Sequence, residues 1–378
     1  VFVWLEGSIM AKPLTATRHF QVMRTLRQEL SLKEPGAFVP TVNELKQRFN
    51  ASQATIAQAL STLQEEGLIR RPDGRNRLVV SDMPPKAAQR VVLVRPSWSS
   101  PDYDALQRSM VTDCNRRGWQ LEVDASHSEM HELELNRAIG NRDAGVLMTS
   151  MVNIPDHLMN VLRKPNRPVV TVIQVPDDPE VSGVGTDNIA IGRMAIEYLM
   201  SQGHEQILTV ISEPRAQSIV QRAQGARDEM LIQGQTHADD LILDCRIRHG
   251  EDSIAMTYES FCEFLINPKR PKFTAVFCVA WTGALAVMKA LKDVGNWRVP
   301  DDVSLVTYAG ESLLIPYLNP PLTAIETNVD DYARNVLDLI EGQLDDPTMP
   351  AQKIALPCQI VERESVMPSR QSNHPNGI

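Results

Sequence analysis

Thr41-Val-Asn-Glu-Leu-Lys-Gln-Arg-Phe-Asn-Ala-Ser-Gln-Ala-Thr-Ile-Ala-Gln-Ala-Leu60 holds two helix starts separated by a short polar break. Thr41 and Glu44 form a capping box: the threonine oxygen accepts from the third backbone N–H and the glutamate reaches back to the first. The helix so begun runs to about Phe49. Ser52 is placed to cap a third helix reaching Glu66, which buries Ile56, Leu60 and Leu63 on one face. Gly67 sits where a left-handed residue ends such a helix. Upstream, Phe20, Met23, Leu26 and Leu30 give Arg18–Leu30 a helical apolar stripe, stopped by the turn Glu34–Pro40. Downstream, Leu68–Arg71, the turn Pro72-Asp-Gly74 and Arg75–Val80 read as strand, turn and strand.

Two helices joined by a tight turn and followed by a basic hairpin set one helix into the major groove with a wing beside it. The charge distribution agrees. The chain carries a formal charge of −9, yet residues 1–80 hold 11 Lys and Arg against 7 Asp and Glu. A basic head on an acidic body is expected when only the head meets phosphates. Ser52, Gln53, Thr55 and Gln58 at the start of the third helix are candidates for base edges, with Thr41 at the start of the second. A glutamine can pair bidentately with adenine. Lys46, Arg48, Arg71, Arg75 and Arg77 are candidates for phosphate or minor-groove contacts.

Val39–Leu45, Ala51–Leu60, Glu66–Ile69 and Asp73–Arg77 together resemble the GntR winged helix-turn-helix domain, over about residues 15–80. The resemblance implies operator DNA as partner. Asn43, Gln53 and Ala57 stand where that family commonly has operator-contacting arginines, so the expected operator departs from the family's consensus.

Residues 81–90 form a linker stiffened by Pro84-Pro85. Beyond it the pattern becomes alternating strands and helices. Val91–Val94, Gly145–Thr149, Val169–Ile173, Ile207–Ile211, Ala275–Val279 and Val303–Val306 are apolar runs suited to buried parallel strands. Ala190–Ser201 and Thr282–Val294 are helical between them. Such alternation predicts doubly wound α/β layers in two lobes over 91–366, flanked by a disordered extension at 1–14 and a disordered tail at 367–378.

Val184–Asn188, Gly192–His204, Asn296–Leu305, Pro320–Thr323 and Val361–Ser365 resemble the LacI/GalR effector domain. The resemblance implies a periplasmic-binding-protein-like type I fold, with a small molecule, by family default a carbohydrate, in the cleft. It also implies crossings between lobes near Val184–Thr186, Ala309–Pro316 and 325–350. Arg222 occupies the arginine position that contacts the effector in that family; Trp98 and Tyr103 lie in the first loop facing the cleft. Trp281-Thr282 replaces the usual Asn-Asp, and Ala309 a later aspartate, removing carboxylates that hold sugar hydroxyls. Trp281 is expected either to stack on a ligand ring or to pack in the core.

The composition, 43% hydrophobic and 22% charged, is that of a globular protein. No apolar run approaches the roughly 18 residues of a membrane span, and the opening VFVWLEGSIM lacks the basic leader of a secretory signal. Five scattered cysteines read as reduced thiols of a cytoplasmic protein. No histidine, cysteine or carboxylate spacing suggests a metal site or a cofactor, and no nucleophile or phosphate-binding motif suggests an enzyme. The reading is a DNA-binding regulator, a repressor by analogy, acting as a homodimer on two half-sites. Its alternatives are a constitutive DNA binder whose body serves only dimerisation, or a regulator with a non-sugar effector.

Overall fold

The computed structural model describes residues 18–30, 32–65, 67–72, 77–81, 89–98, 100–127, 133–149, 151, 153–310 and 314–369. The expected extension at 1–14, the linker prolines Pro84 and Pro85, Arg75 and most of the 367–378 tail lie outside them. The chain divides into two compact units, the first made of the residues up to Gln89 together with Cys114–Gln120, the second of the rest.

In the first unit, α1 (Arg18–Leu30), α2 (Val42–Phe49) and α3 (Gln53–Glu65) precede the short strands β1 (Ile69–Arg70) and β2 (Val79–Val80). Thr41 and Glu44 make both bonds of the capping box. Asn50 enters the left-handed region at φ 45°, and Ser52 Oγ accepts the Thr55 N–H at 3.2 Å to start α3. Gly67, φ 75°, closes α3, with its N–H donated to the Gln64 carbonyl and that of Leu68 to Leu63. Leu26, Leu45, Ile56 and Leu63 are fully buried together. β1 and β2 pair antiparallel, Ile69 opposite Val80. One pairing goes beyond the expected hairpin: Phe38 bridges to Val79, and the Val39 and Val80 amides donate to Leu78 and Ala37. The turn 34–40 therefore lies along β2 through an isolated backbone bridge.

Beyond Gln89 the chain runs β3 (Arg90–Pro96), α4 (Pro101–Arg117), β4 (Gln120–His127), α5 (Leu135–Ile139), β5 (Ala144–Met148), α6 (Asp156–Arg163), β6 (Val169–Ile173), β7 (Gly183–Thr186) and α7 (Asn188–Ser201). It continues through β8 (Ile207–Ile211), α8 (Gln217–Ile232), β9 (Ile242–Asp244), α9 (Ser253–Ile266), β10 (Ala275–Cys278), α10 (Trp281–Gly295), β11 (Ser304–Ala309) and β12 (Thr323–Glu326). α11 (Val329–Asp345), β13 (Lys353–Leu356) and β14 (Gln359–Val361) complete it. Two six-stranded sheets result, β13-β7-β6-β5-β3-β4 and β14-β12-β11-β10-β8-β9. Both place the second strand outside the first and then count outward, the doubly wound order with a switch point at the first strand. The six apolar runs expected to be strands are β3, β5, β6, β8, β10 and β11, six of the eight inner strands. Buried on both faces, such strands need continuous apolar residues.

The chain passes between lobes at three places: Thr186 to Asn188, Glu326 to Val329, and Leu356 to Gln359. The crossing expected at Ala309–Pro316 does not occur. Ile315 is buried in the core of the second lobe, and β12 returns parallel to β11 with Val306 opposite Thr323. α11 then packs on β6, β7 and β13 of the first lobe. The third crossing is the short step from β13 to β14.

Candidate functional site

Two surfaces carry the chemistry. On the head, the three-residue turn Asn50-Ala51-Ser52 sets α3 after α2, leaving Gln53, Ala54, Ala57 and Gln58 exposed on one side while Ile56, Ala59 and Leu60 face the core. Gln53 and Gln58 are long amides on an open helix face, a chemistry fitted to base edges. Ser52, Thr55 and Thr41 have local duties. Ser52 Oγ and Thr55 Oγ1 lie 2.8 Å apart, and Thr41 Oγ1 donates to Glu44 at 2.9 Å. Arg48 is committed as well: it meets the Glu29 carboxylate with both terminal nitrogens and lies over the Phe49 ring at 5.1 Å. Lys46 is half-buried, Arg71 is exposed, and the Arg77 guanidinium sits 4.8 Å from the Phe38 ring centre.

In the body, a cavity of about 520 Å³ lies between the lobes. Its walls come mainly from segments that follow the carboxyl ends of strands. Trp98–Tyr103 follows β3, Ile173 ends β6, Glu213 follows β8, Ala280 and Thr282 follow β10, and Gly310 follows β11. In open parallel sheets this edge is where ligands bind. Ile173, β-branched, is held at φ 69° on this wall, a strained conformation for its type.

Arg222 on α8 is only 5% exposed. Its Nε donates to Asn188 Oδ1 at 2.9 Å, its Nη1 to the Val279 carbonyl at 3.0 Å, and its guanidinium lies 3.7 Å from the Tyr308 ring centre. These contacts hold a buried charge in one orientation. α7 and α8 meet so closely because Gly192 and Gly225 face each other's backbones. A Cβ on Gly192 would lie 2.0 Å from the Arg222 carbonyl oxygen, and one on Gly225 2.0 Å from that of Ile189. Trp98 stacks against His249 with ring centres 5.1 Å apart, and Tyr103 faces the Arg95 guanidinium at 5.8 Å.

Four of the five expected cleft residues, Trp98, Tyr103, Arg222 and Thr282, line the cavity; Trp281 does not. Its ring packs into the core of the second lobe, 4% exposed, and its indole N–H donates to Asp102 Oδ1 of the first lobe at 3.3 Å. It is thus a packing and lobe-contact residue. Asp102, Glu213, Tyr308 and Tyr332, which the sequence reading passed over, all line the cavity. The strand-end rule would have found Glu213, which directly follows the apolar run Ile207–Ile211 and Ser212. Burial pushes the Asp102 carboxyl above its ordinary range, opposed by the Trp281 bond and the Arg222 charge. Burial likewise raises Glu213, against hydroxyl donors from Thr282 and Ser253. The Tyr308 and Tyr332 hydroxyls are also raised by burial. Among the described residues no group of histidines, cysteines and carboxylates is disposed to hold a metal ion, and no helix is long and apolar enough to cross a membrane.

Residues 20–79 match the family model of bacterial regulatory proteins of the gntR family, and residues 196–366 that of the periplasmic binding protein-like domain. The chain therefore joins a GntR-type helix-turn-helix domain to a periplasmic-binding-protein-like domain. It is 27% identical over 278 residues to the HTH-type transcriptional regulator CelR of Thermobifida fusca, covering 71% of this chain and 77% of the relative. It is 24% identical over 272 residues to the ribose operon repressor of Escherichia coli K12, covering 71% and 79%. Among solved structures, a CelR–cellobiose complex superposes with a TM-score of 0.62 at 24% identity, over 83% of this chain and 91% of that one. A LacI family regulator from Enterococcus faecium with bound ribose gives 0.63 at 21%, over 74% and 100%. These likenesses establish the fold.

Proposed function

We propose that the chain is a DNA-binding transcriptional regulator, a repressor, whose operator affinity is set by a small molecule held between the lobes of its body. The observation that carries this reading is the buried, oriented Arg222 on the wall of an inter-lobe cavity, in a chain that also carries a helix-turn-helix domain. A cleft spanned by three crossing segments can close on a ligand, and closure is the two-state element an effector needs. Relatives named for ribose and structures holding ribose or cellobiose favour a carbohydrate-like effector. Arg222, Thr282, Trp98 and Tyr103 are the residues assigned to it. The lobe topology favours the type I variant of the periplasmic-binding-protein-like fold.

On the head, Gln53 and Gln58 read bases, while Lys46, Arg71, Arg75 and Arg77 meet phosphates. The working boundaries are 15–80 for the reader, 81–90 for the linker and 91–366 for the sensor. Two copies bind two half-sites as a homodimer, and lobe closure alters the spacing of their heads. Selection of bound fragments from a random-sequence DNA pool by the full chain tests the reader. The expected result is one enriched motif with paired half-sites. Gln53→Ala should relax its sequence preference, whereas Arg75→Ala with Arg77→Ala should weaken binding and flatten its salt dependence. Recovery of no motif would refute sequence-specific reading, and an unchanged salt slope would remove the wing from the phosphate contacts.

A further inference from the structure

The effector reading leaves open which chemistry the cleft walls select. Arg222 spends Nε and Nη1 on Asn188 and Val279, and its Nη2 has no protein hydrogen-bond partner among the described residues. That donor, on a side chain 5% exposed at the cavity wall, calls for a hydroxyl or carbonyl acceptor. Negative charge is in excess around it. Asp102, Glu213, Glu251 and Asp252 line the same cavity. The last two are occupied at its rim: Asp252 accepts the Ile254 and Ala255 amides at the start of α9, and Glu251 accepts the Arg248 amide.

Asp102 and Glu213 are different. Their described hydrogen-bond partners are all donors: the Trp281 indole N–H to Asp102 Oδ1, the Thr282 hydroxyl to Glu213 Oε1, and the Ser253 hydroxyl to Glu213 Oε2 at 2.7 Å. The Trp281 indole N–H can only donate, which suits a carboxylate oxygen on Asp102, and the two hydroxyls at Glu213 can donate to its ionised form. Neither carboxylate has a lysine or arginine at ion-pair distance among the described residues. One comes from each lobe, and the consecutive residues Trp281 and Thr282 draw both toward the start of α10.

We propose that the cavity selects an amine-bearing polyhydroxy compound, its ammonium held between Asp102 and Glu213 and its hydroxyls accepting from Arg222 Nη2. The inference rests on the effector reading above and gives it a charge. A neutral sugar would leave the two inner carboxylates to share the compensation of the single Arg222 once the cleft closes and water leaves. Burial already raises both carboxyls in the ligand-free protein, a cost that an ammonium between them reverses.

Calorimetric titration of the full chain at slightly acidic pH, where the amines are protonated, provides the test. The probes are glucosamine, galactosamine and mannosamine, each against its N-acetyl derivative and its parent hexose. The expected result is that at least one hexosamine binds about tenfold to a hundredfold more tightly than both its uncharged counterparts, the range of a hydrogen bond to a charged group. Glu213→Gln and Asp102→Asn should each remove that preference, with thermal unfolding checking that the variant folds. The wild-type comparison stands if a variant does not. Equal or tighter binding of the neutral counterparts would overturn the inference and leave the effector reading standing. Silence from the whole panel would also overturn it, and a neutral ligand found by a broader screen would still uphold that reading.

Discussion

The two lobes of the body share a strand order and differ in what they bring to the cleft. The first lobe offers the end of β3 and the start of α4, with Trp98, Asp102 and Tyr103 on side chains that are partly exposed. The second offers Arg222, 5% exposed and held by three contacts, and Thr282 bonded to Glu213. The frame decides where the ligand edge lies; the packing of each lobe decides how firmly its side chains are held there. In the second lobe that packing is backbone on backbone, through Gly192 and Gly225. In the first, the corresponding tight place is Gly183 on β7, whose added Cβ would meet the side chains of Thr171 and Val175.

That contrast gives the largest expected effect. Gly225→Ala should cost about 2–4 kcal/mol, because a Cβ there meets the Ile189 carbonyl and α7 and α8 must part. Gly183→Ala should cost less, about 1–2 kcal/mol, since side chains can yield where backbone cannot. Denaturant unfolding of the two variants reads the difference; equal losses would break the comparison. A smaller effect belongs to the contact between lobes. Trp281→Phe removes the indole N–H from Asp102, a bond worth about 1 kcal/mol, and trims part of the ring packed in the core. Trp98→Phe, on the cavity wall, should leave unfolding nearly unchanged. The smallest is a pH effect. Asp102 and Glu213 have folded pKa values above their unfolded ones, so the native state binds more protons in that window. Their contribution to stability therefore falls as pH rises from the ordinary carboxylate range through the raised values. Asp102→Asn with Glu213→Gln should flatten that part of the stability–pH curve, and an unaltered slope would contradict the assignment.

The same contrast between local and assembled features governs how much was legible in the sequence. The head was readable almost residue by residue, because capping boxes, N-caps and terminating glycines act over a few neighbours; Thr41, Glu44, Ser52 and Gly67 do what their positions predict. Six of the eight inner strands were readable because burial on two faces demands unbroken apolar runs. Strands such as β7, Gly183-Val-Gly-Thr186, were not, since close approach to Val175 requires glycine rather than apolar bulk. The crossing misplaced to Ala309–Pro316 failed for a related reason: the loop after β11 turns back into its own lobe through the burial of Ile315, a long-range contact without a local signature. The Phe38 bridge to the wing was hidden in a turn. In the cleft, Arg222 came from resemblance, while the partnership of Asp102 with Trp281 joins residues far apart in sequence and only the fold reveals it. The pairing of Arg48, read as a phosphate contact, with Glu29 on another helix likewise has no local signature.

The central claim is that the cleft governs the reader, and fluorescence anisotropy of the selected DNA motif with the full chain tests it most directly. The affinity is measured without ligand and then with a compound shown by calorimetry to bind the cleft. The account predicts a change in DNA affinity for the wild type, and for Arg222→Lys a retained DNA affinity that no longer responds, because lysine cannot reproduce the fixed bonds to Asn188 and Val279. A compound that occupies the wild-type cleft at saturation and leaves DNA affinity untouched would contradict it.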